Sequence, residues 1–273
     1  MTDIAMKQTQ PTSQDVQLKP MGWRLSLLYF GIPTILFFLG FHILMPAITN
    51  IADIPPFYGY LAGVGFPLLG LLIAAFVTLR LEGHLLTWPA ISQRFRLKRM
   101  SWKLWLGTLG FFILANLFIC ILTVVNNTLL EQGIILIPNY VPGFLQPVAE
   151  QFVSNPLSIY EAAFGGLIGN WLALVSYSLL IFVNVIGEEL WWRGYILPRQ
   201  ELAFGKYAWF IHGLLWWGFH AFKWWDILPL LAPTLLISFL AQRSKNTWPG
   251  IVIHFLINGL AIPLIALAVL GLI

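Results

Sequence analysis

The chain has 273 residues, 59% of them hydrophobic and only 10% charged, with a formal net charge of +4. A soluble domain has about a quarter of its residues charged, so a water-soluble globule is excluded and lipid must face most of the surface. The positive balance does not point to nucleic acid either, because basic residues in a membrane protein mark cytoplasmic loops.

Residues 1–22 read as a polar, disordered cytoplasmic tail without the short apolar core and cleavage site of a secretory signal. Residues 23–273 read as a single helical membrane domain. One spanning helix needs about 20 apolar residues, and the apolar runs predict an all-α, polytopic fold with about seven transmembrane helices. In chain order they cover Leu25–Ile48, Tyr58–Leu81, Leu104–Leu129, Leu167–Pro198, Tyr207–Trp225, Ile227–Gln242, and Trp248 to the end. The last four, from about residue 167 to 273, form the motif-bearing core. Cys120 is the only cysteine, which excludes an intrachain disulfide and a thiolate cluster.

The basic residues alternate with these spans. Lys7, Lys19 and Arg24 precede the first, and Arg80, Arg94, Arg96, Lys98, Arg99 and Lys103 fall between the second and third. Arg193, Arg199 and Lys206 fall around the end of the fourth, and Arg243 and Lys245 before the last. All lie on one side of a seven-span topology; Lys223 alone lies on the other. The positive-inside rule then puts the N-terminus in the cytoplasm and the C-terminus outside. Between residues 82 and 102, basic residues alternate with Leu85, Leu86, Trp88, Phe95 and Leu97, as suits an anionic inner leaflet. The outer loop, Glu131–Gly166, carries Glu131, Glu150 and Glu161 without Lys or Arg, and short helical pieces are expected there. Gly165 and Gly169 have the spacing of a helix-packing pair.

Ionisable groups inside a membrane cost several kcal/mol unless paired or hydrated, so each is a functional hypothesis. Glu189 and Arg193 are four apart with the acid first, the favourable order for a helical ion pair. Arg193 cannot readily satisfy Glu188 as well, which is left to find another partner. Asn184, one turn earlier, could hydrogen-bond it; His220 and His254 are the candidates across helices. Counting helical rise from the basic residues puts Glu188 roughly 16 Å deep, His220 roughly 21 Å, and His254 and Asn258 roughly 13 to 20 Å, so the four can meet. His254 and Asn258, at i and i+4, share a helix face and could donate two hydrogen bonds to an oxyanion. Glu188 with His220 could hold and deprotonate a water. Trp192 and Trp216 are candidates for a substrate groove, while His42 and His212 read as structural histidines, with a supporting role open to His212. These residues leave a peptidase and a transporter of a small molecule or proton both open.

The sequence Glu188-Glu189-xxx-Arg193-Gly194-Tyr195, then Trp216-xxx-His220 and His254-xxx-Asn258, resembles the CAAX prenyl protease and bacteriocin-processing (CPBP, or Abi) family over roughly residues 184–260. Trp192 and Trp216 stand where phenylalanine is usual. The resemblance implies an intramembrane endopeptidase in which Glu188 and His220 activate water and His254 and Asn258 stabilise the oxyanion. Glu189 and Arg193 would support them, in a helical membrane fold with its cavity open to the cytoplasm. The partners it implies are a hydrophobic or lipidated peptide or protein substrate, prenylated or leader-bearing, and membrane lipid, in the plasma membrane of a bacterium; other members are linked to non-catalytic scaffolding. Two histidines and a glutamate could ligate zinc, but no HExxH is present. A glutamate-type mechanism with no metal or other cofactor is the expectation.

Overall fold

A computed structural model describes residues 18–147 and 156–273, all helix and connecting segments. Most of the expected tail therefore lies outside the described residues, as does Glu150 of the outer loop. Helix α1 (Trp23–Leu39) runs through a π turn (Gly40–Leu44) into α2 (Met45–Ala52); α3 (Pro56–Leu81) returns antiparallel to it. The short α4 (Trp88–Arg94) precedes the long α5 (Trp102–Glu131). Beyond the outer loop come α6 (Pro156–Phe164) and α7 (Trp171–Glu189), which passes through a seven-residue π turn (Leu190–Ile196) into α8 (Leu197–Phe204). Then follow α9 (Ala208–Phe219), a 3-10 segment (His220–Asp226), α10 (Leu231–Ser244), α11 (Trp248–Asn258) and α12 (Ala261–Val269).

The all-α membrane architecture is as expected. Among the described residues four helical stretches are long and apolar enough to cross a bilayer, or five if the bent pair α11–α12, with its 48° break, is one span; one of the four, Trp171–Asp226, runs for 56 residues and takes in the expected fourth and fifth spans. Of the expected spans only the sixth, α10, lies outside these stretches, because its 14 residues are short for a span. Gly165 and Gly169 correct another expectation. Both have positive φ (72° and 71°) in the turn between α6 and α7, a conformation glycine adopts without steric cost, so they shape a turn rather than pack two helices.

The two ends of the bundle differ in chemistry. At one end Arg94 holds Glu82 through Nε (2.5 Å) and Nη2 (3.0 Å), and Arg96 grips Glu201 with both Nη atoms at 2.8 and 2.9 Å. Lys245 also pairs with Glu201, Arg199 lies 3.8 Å from Glu82, and the Thr247 amide donates to the Arg96 carbonyl. Leu85, Leu86 and Trp88 are exposed beside this cluster, as an interfacial segment requires. At the N-terminal side, the Met21 amide donates to the Arg199 carbonyl, Arg199 Nε to the Lys19 carbonyl, and Gln200 Nε2 to Ser26 Oγ. At the other end the contacts are aromatic and loop-borne: Trp224 donates to the Leu136 carbonyl at 2.9 Å, and His42 meets the Tyr140 hydroxyl.

Candidate active site

Helices α7, α9 and α11 bring the singled-out residues together, and close packing sets their positions. Gly187 lets α7 approach α3, where a Cβ would lie 3.1 Å from the Leu68 carbonyl oxygen. That contact fixes the turn carrying Glu188. A Cβ at Gly250 would collide with the Glu189 carboxylate, so the glycine makes room for that acid between α7 and α11. The π turn that follows is buried at every residue from Leu190 to Ile196; such turns are rare and often mark functional sites.

Glu188 is held from its own helical stretch on both sides, by Asn184 and by Trp192. Asn184 Nδ2 donates to its Oε1 at 2.7 Å, and Trp192 Nε1 to its Oε2 at 3.1 Å. Across helices, Trp216 Nε1 donates to the same Oε2 at 2.8 Å. A carboxylate offers about four lone-pair positions, two per oxygen. Both on Oε2 are therefore taken by indoles, and the open position is on Oε1. Glu189 forms the expected ion pair with Arg193, whose Nε donates to Oε2 at 2.5 Å and whose guanidinium lies 3.6 Å from the Trp216 ring centroid. Glu189, Arg193 and Trp192 are all at most 1% exposed.

The two acids are joined by one hydrogen-bonded chain. His254 Nδ1 faces Glu189 Oε1 at 3.0 Å. An ionised carboxylate only accepts, so Nδ1 carries the proton and Nε2 is the acceptor. Asn258 Nδ2 then donates to His254 Nε2 at 3.0 Å and to Asn184 Oδ1 at 2.8 Å, and Asn184 passes the chain to Glu188. The expected oxyanion pair thus has its donors committed: both Asn258 amide protons and the His254 proton serve this chain. His220 Nδ1 donates to the Trp216 carbonyl at 2.8 Å, leaving Nε2 as its acceptor nitrogen.

Glu188, His220, His254, Asn258, Asn184 and Trp216 line one cavity of about 350 Å³. Trp192 is not at its wall. It lies behind Glu188, stacked on Phe30 at 4.4 Å between ring centroids, so its expected place in a substrate groove is corrected to a donor supporting the carboxylate. His212 is fully buried, bonded to Gln200 and clear of the cavity, and His42 bonds the Phe222 carbonyl. Sequence reading missed both indole donors. The tryptophans themselves were the available signal, since a buried indole N–H needs an acceptor.

The cavity also has a direction. From Glu188 and His254 its wall continues through Leu68, Val64, Tyr60 and Phe57 of α3, to Phe144, Leu145 and Tyr160 of the outer loop and α6, and past Lys223 and Asp226. It runs away from the basic end, and none of the ion-paired residues there lines it.

Among the described residues no group of three or more His, Cys, Asp or Glu side chains is arranged to hold a metal ion. Glu188 is surrounded by N–H donors, which compete with a cation for its lone pairs.

Residues 169–260 match the family model Type II CAAX prenyl endopeptidase Rce1-like. The match covers about a third of the chain and contains every residue of the hydrogen-bonded chain above. Over that segment the chain is similar to the CAAX prenyl endopeptidase family, in agreement with the resemblance seen in the motifs. No curated protein and no solved structure gives a significant match.

Proposed function

We propose that the protein is an intramembrane peptidase that hydrolyses a peptide bond in a hydrophobic or lipidated, membrane-associated peptide by a glutamate-type mechanism. The observation that supports this most is that Glu188, His220, His254 and Asn258, from three separate helical segments, line one cavity. A water held between Glu188 Oε1 and His220 Nε2 gives up a proton as its oxygen attacks the carbonyl carbon. The proton passes to the leaving amine as the C–N bond breaks. With Nε2 unprotonated His254 has no proton to give an oxyanion, so the donor is Asn258, whose N–H now given to His254 turns to the substrate oxygen while His254 positions it. Glu189 and Arg193 hold His254 in its tautomer from behind. The basic end faces the cytoplasm by the positive-inside rule, with the N-terminus inside, in a bacterial plasma membrane.

The test is a panel of lipidated and plain hydrophobic peptides incubated with purified wild type and Glu188→Gln, read by mass spectrometry. Cleavage by the wild type that persists in strong chelator and vanishes in Glu188→Gln is expected. Cleavage by Glu188→Gln would sink the assignment, and cleavage lost to chelator and restored by zinc would replace it with a metallopeptidase. Proton-driven uptake in reconstituted vesicles, lost in Glu188→Gln, would replace the enzyme with a transporter.

A further inference from the structure

We infer that residues Arg94–Lys98 form a strap that sets the spacing between the two halves of the site, and that Arg94 is a positioning residue for the reaction. The strap lies outside residues 169–260, the segment that matches the family model. Its effect on turnover rests on the peptidase reading; its hold on the two helices rests on the fold alone.

The strap is bonded to both halves. On one side Arg94 Nη1 donates to the Gly194 carbonyl at 2.9 Å, and the guanidinium lies 5.0 Å from the Tyr195 ring centroid. Glu82 holds the same guanidinium in place at 2.5 and 3.0 Å. Gly194 belongs to the π turn and directly follows Arg193. Four residues on stands Pro198, which has no amide hydrogen to return to that carbonyl at α-helical spacing, so Arg94 supplies a donor from outside the helix. The approach is close as well as polar, since a Cβ at Gly194 would lie 3.0 Å from Phe95 Cδ1. On the other side the carbonyls of the strap hold the entry to α11. Thr247 Oγ1 donates to the Phe95 carbonyl at 2.7 Å, the Thr247 amide to the Arg96 carbonyl at 3.0 Å, and Asn246 Nδ2 to the Lys98 carbonyl at 2.9 Å.

This is a built connection rather than a surface contact. Arg94, Phe95, Asn246 and Thr247 are each at most 6% exposed. Arg96 has a φ of 56°, the left-handed conformation after a helix end that favours glycine. It keeps that conformation while its side chain grips Glu201 and its carbonyl takes the Thr247 amide. The two halves that the strap joins are those that meet in the site. Gly194 comes five residues after Glu189, and Thr247 seven before His254. Glu189 and His254 face each other at 3.0 Å, and from His254 the contact reaches Glu188 through Asn258 and Asn184. A strap that lets α11 slip against the π turn changes that spacing first. Misplacing a catalytic group by about 1 Å costs on the order of a hundredfold in rate, so the strap acts on turnover without touching the cavity.

Substitutions on each side of the strap test it in the purified full-length protein. Arg94→Ala removes the donor to Gly194, and Thr247→Val removes the hydroxyl on the α11 side while keeping its shape. Arg80→Ala, at an exposed arginine that donates to the His84 carbonyl at the end of α3, is the control. Against a peptide that the wild type cleaves, both strap variants are expected to lose about tenfold or more in kcat with KM little changed. Arg94→Lys, which keeps a donor near Gly194, recovers part of the loss, and Arg80→Ala keeps the wild-type rate. A second readout needs no turnover. With nitrogen-15 histidine, and the His254 signal assigned by its loss in His254→Gln, the wild type is expected to show Nδ1 protonated and Nε2 bare. The strap variants show a mixture of tautomers while still unfolding cooperatively. Folded Arg94→Ala and Thr247→Val with the wild-type kcat and the wild-type His254 signal would overturn the inference, as would a loss of activity that only tracks the unfolded fraction. If Arg94→Ala does not fold, Thr247→Val decides. A wild type that cleaves no peptide removes the peptidase, and the His254 signal alone then decides the strap.

Discussion

Two clusters of charge in this protein use the same residue types under opposite conditions. At the basic end, Arg94, Arg96, Arg199 and Lys245 share two carboxylates, Glu82 and Glu201, at a partly exposed surface where Lys245 keeps half its side chain accessible. In the site, Glu188, Glu189 and Arg193 lie in the interior, and every oxygen of the two acids has a partner. Water can replace a lost partner in the first cluster. In the second, Glu189 and Arg193 lie behind the cavity wall, where water does not reach them, so each bond there fixes a neighbour as well as itself. The lesson is that a pair's importance follows from what surrounds it rather than from its distance, because the two sets of contacts are about equally short.

That contrast can be broken by mutation. Glu189→Ala leaves Arg193 charged and unpaired in the interior and is expected to destabilise the protein by about 3–5 kcal/mol. The measurement is thermal unfolding in detergent, and an unchanged melting temperature would mean the pair is hydrated. Trp192→Phe keeps the ring on Phe30 and Phe219 but removes one donor from Glu188 Oε2. A hydrogen bond to a charged group contributes about 1.5–3 kcal/mol, so kcat is expected to fall roughly tenfold or more. KM should hold, since Trp192 does not touch the cavity; a change in KM alone would show that it contacts substrate. Glu201→Gln loosens Arg96 and Lys245 at the surface and is expected to cost about 1 kcal/mol or less. A loss in melting temperature as large as that of Glu189→Ala would erase the distinction between the two clusters.

What the sequence made legible was local. The Glu189–Arg193 pair, the bond from Asn184 to Glu188 and the shared face of His254 and Asn258 are all i,i+4 relations, which any helix imposes. Depth counting from basic residues anticipated that Glu188, His220 and His254 meet, because helical rise is constant. Which helix faces meet, and through which atoms, was not legible. Trp216 reaches Glu188 across 28 residues, and nothing in a linear pattern specifies which face of α9 turns toward α7. The direction of the cavity was likewise hidden, since it depends on which end of the bundle is filled by Trp192, Arg193 and Ile196. Span counting did not foresee that α10 stops at 14 residues while the sequence around it remains apolar.

The bonds that tie the start of the chain to α8 also order events in time. Ser26 on α1 finds its partner Gln200 only 174 residues later, and Met21 waits for the Arg199 carbonyl over a similar distance. Chains emerge at about 5–20 residues per second, so α1 sits in the bilayer for on the order of 10 to 30 seconds before α8 exists. During that interval its inner face, with Phe30 and Phe37, has neither Trp192 nor Phe219 to pack against. This helix, made early, therefore gains its contacts to Trp192 and Phe219 only late. A nascent chain arrested before Arg199 should leave α1 open to whatever else the membrane offers it.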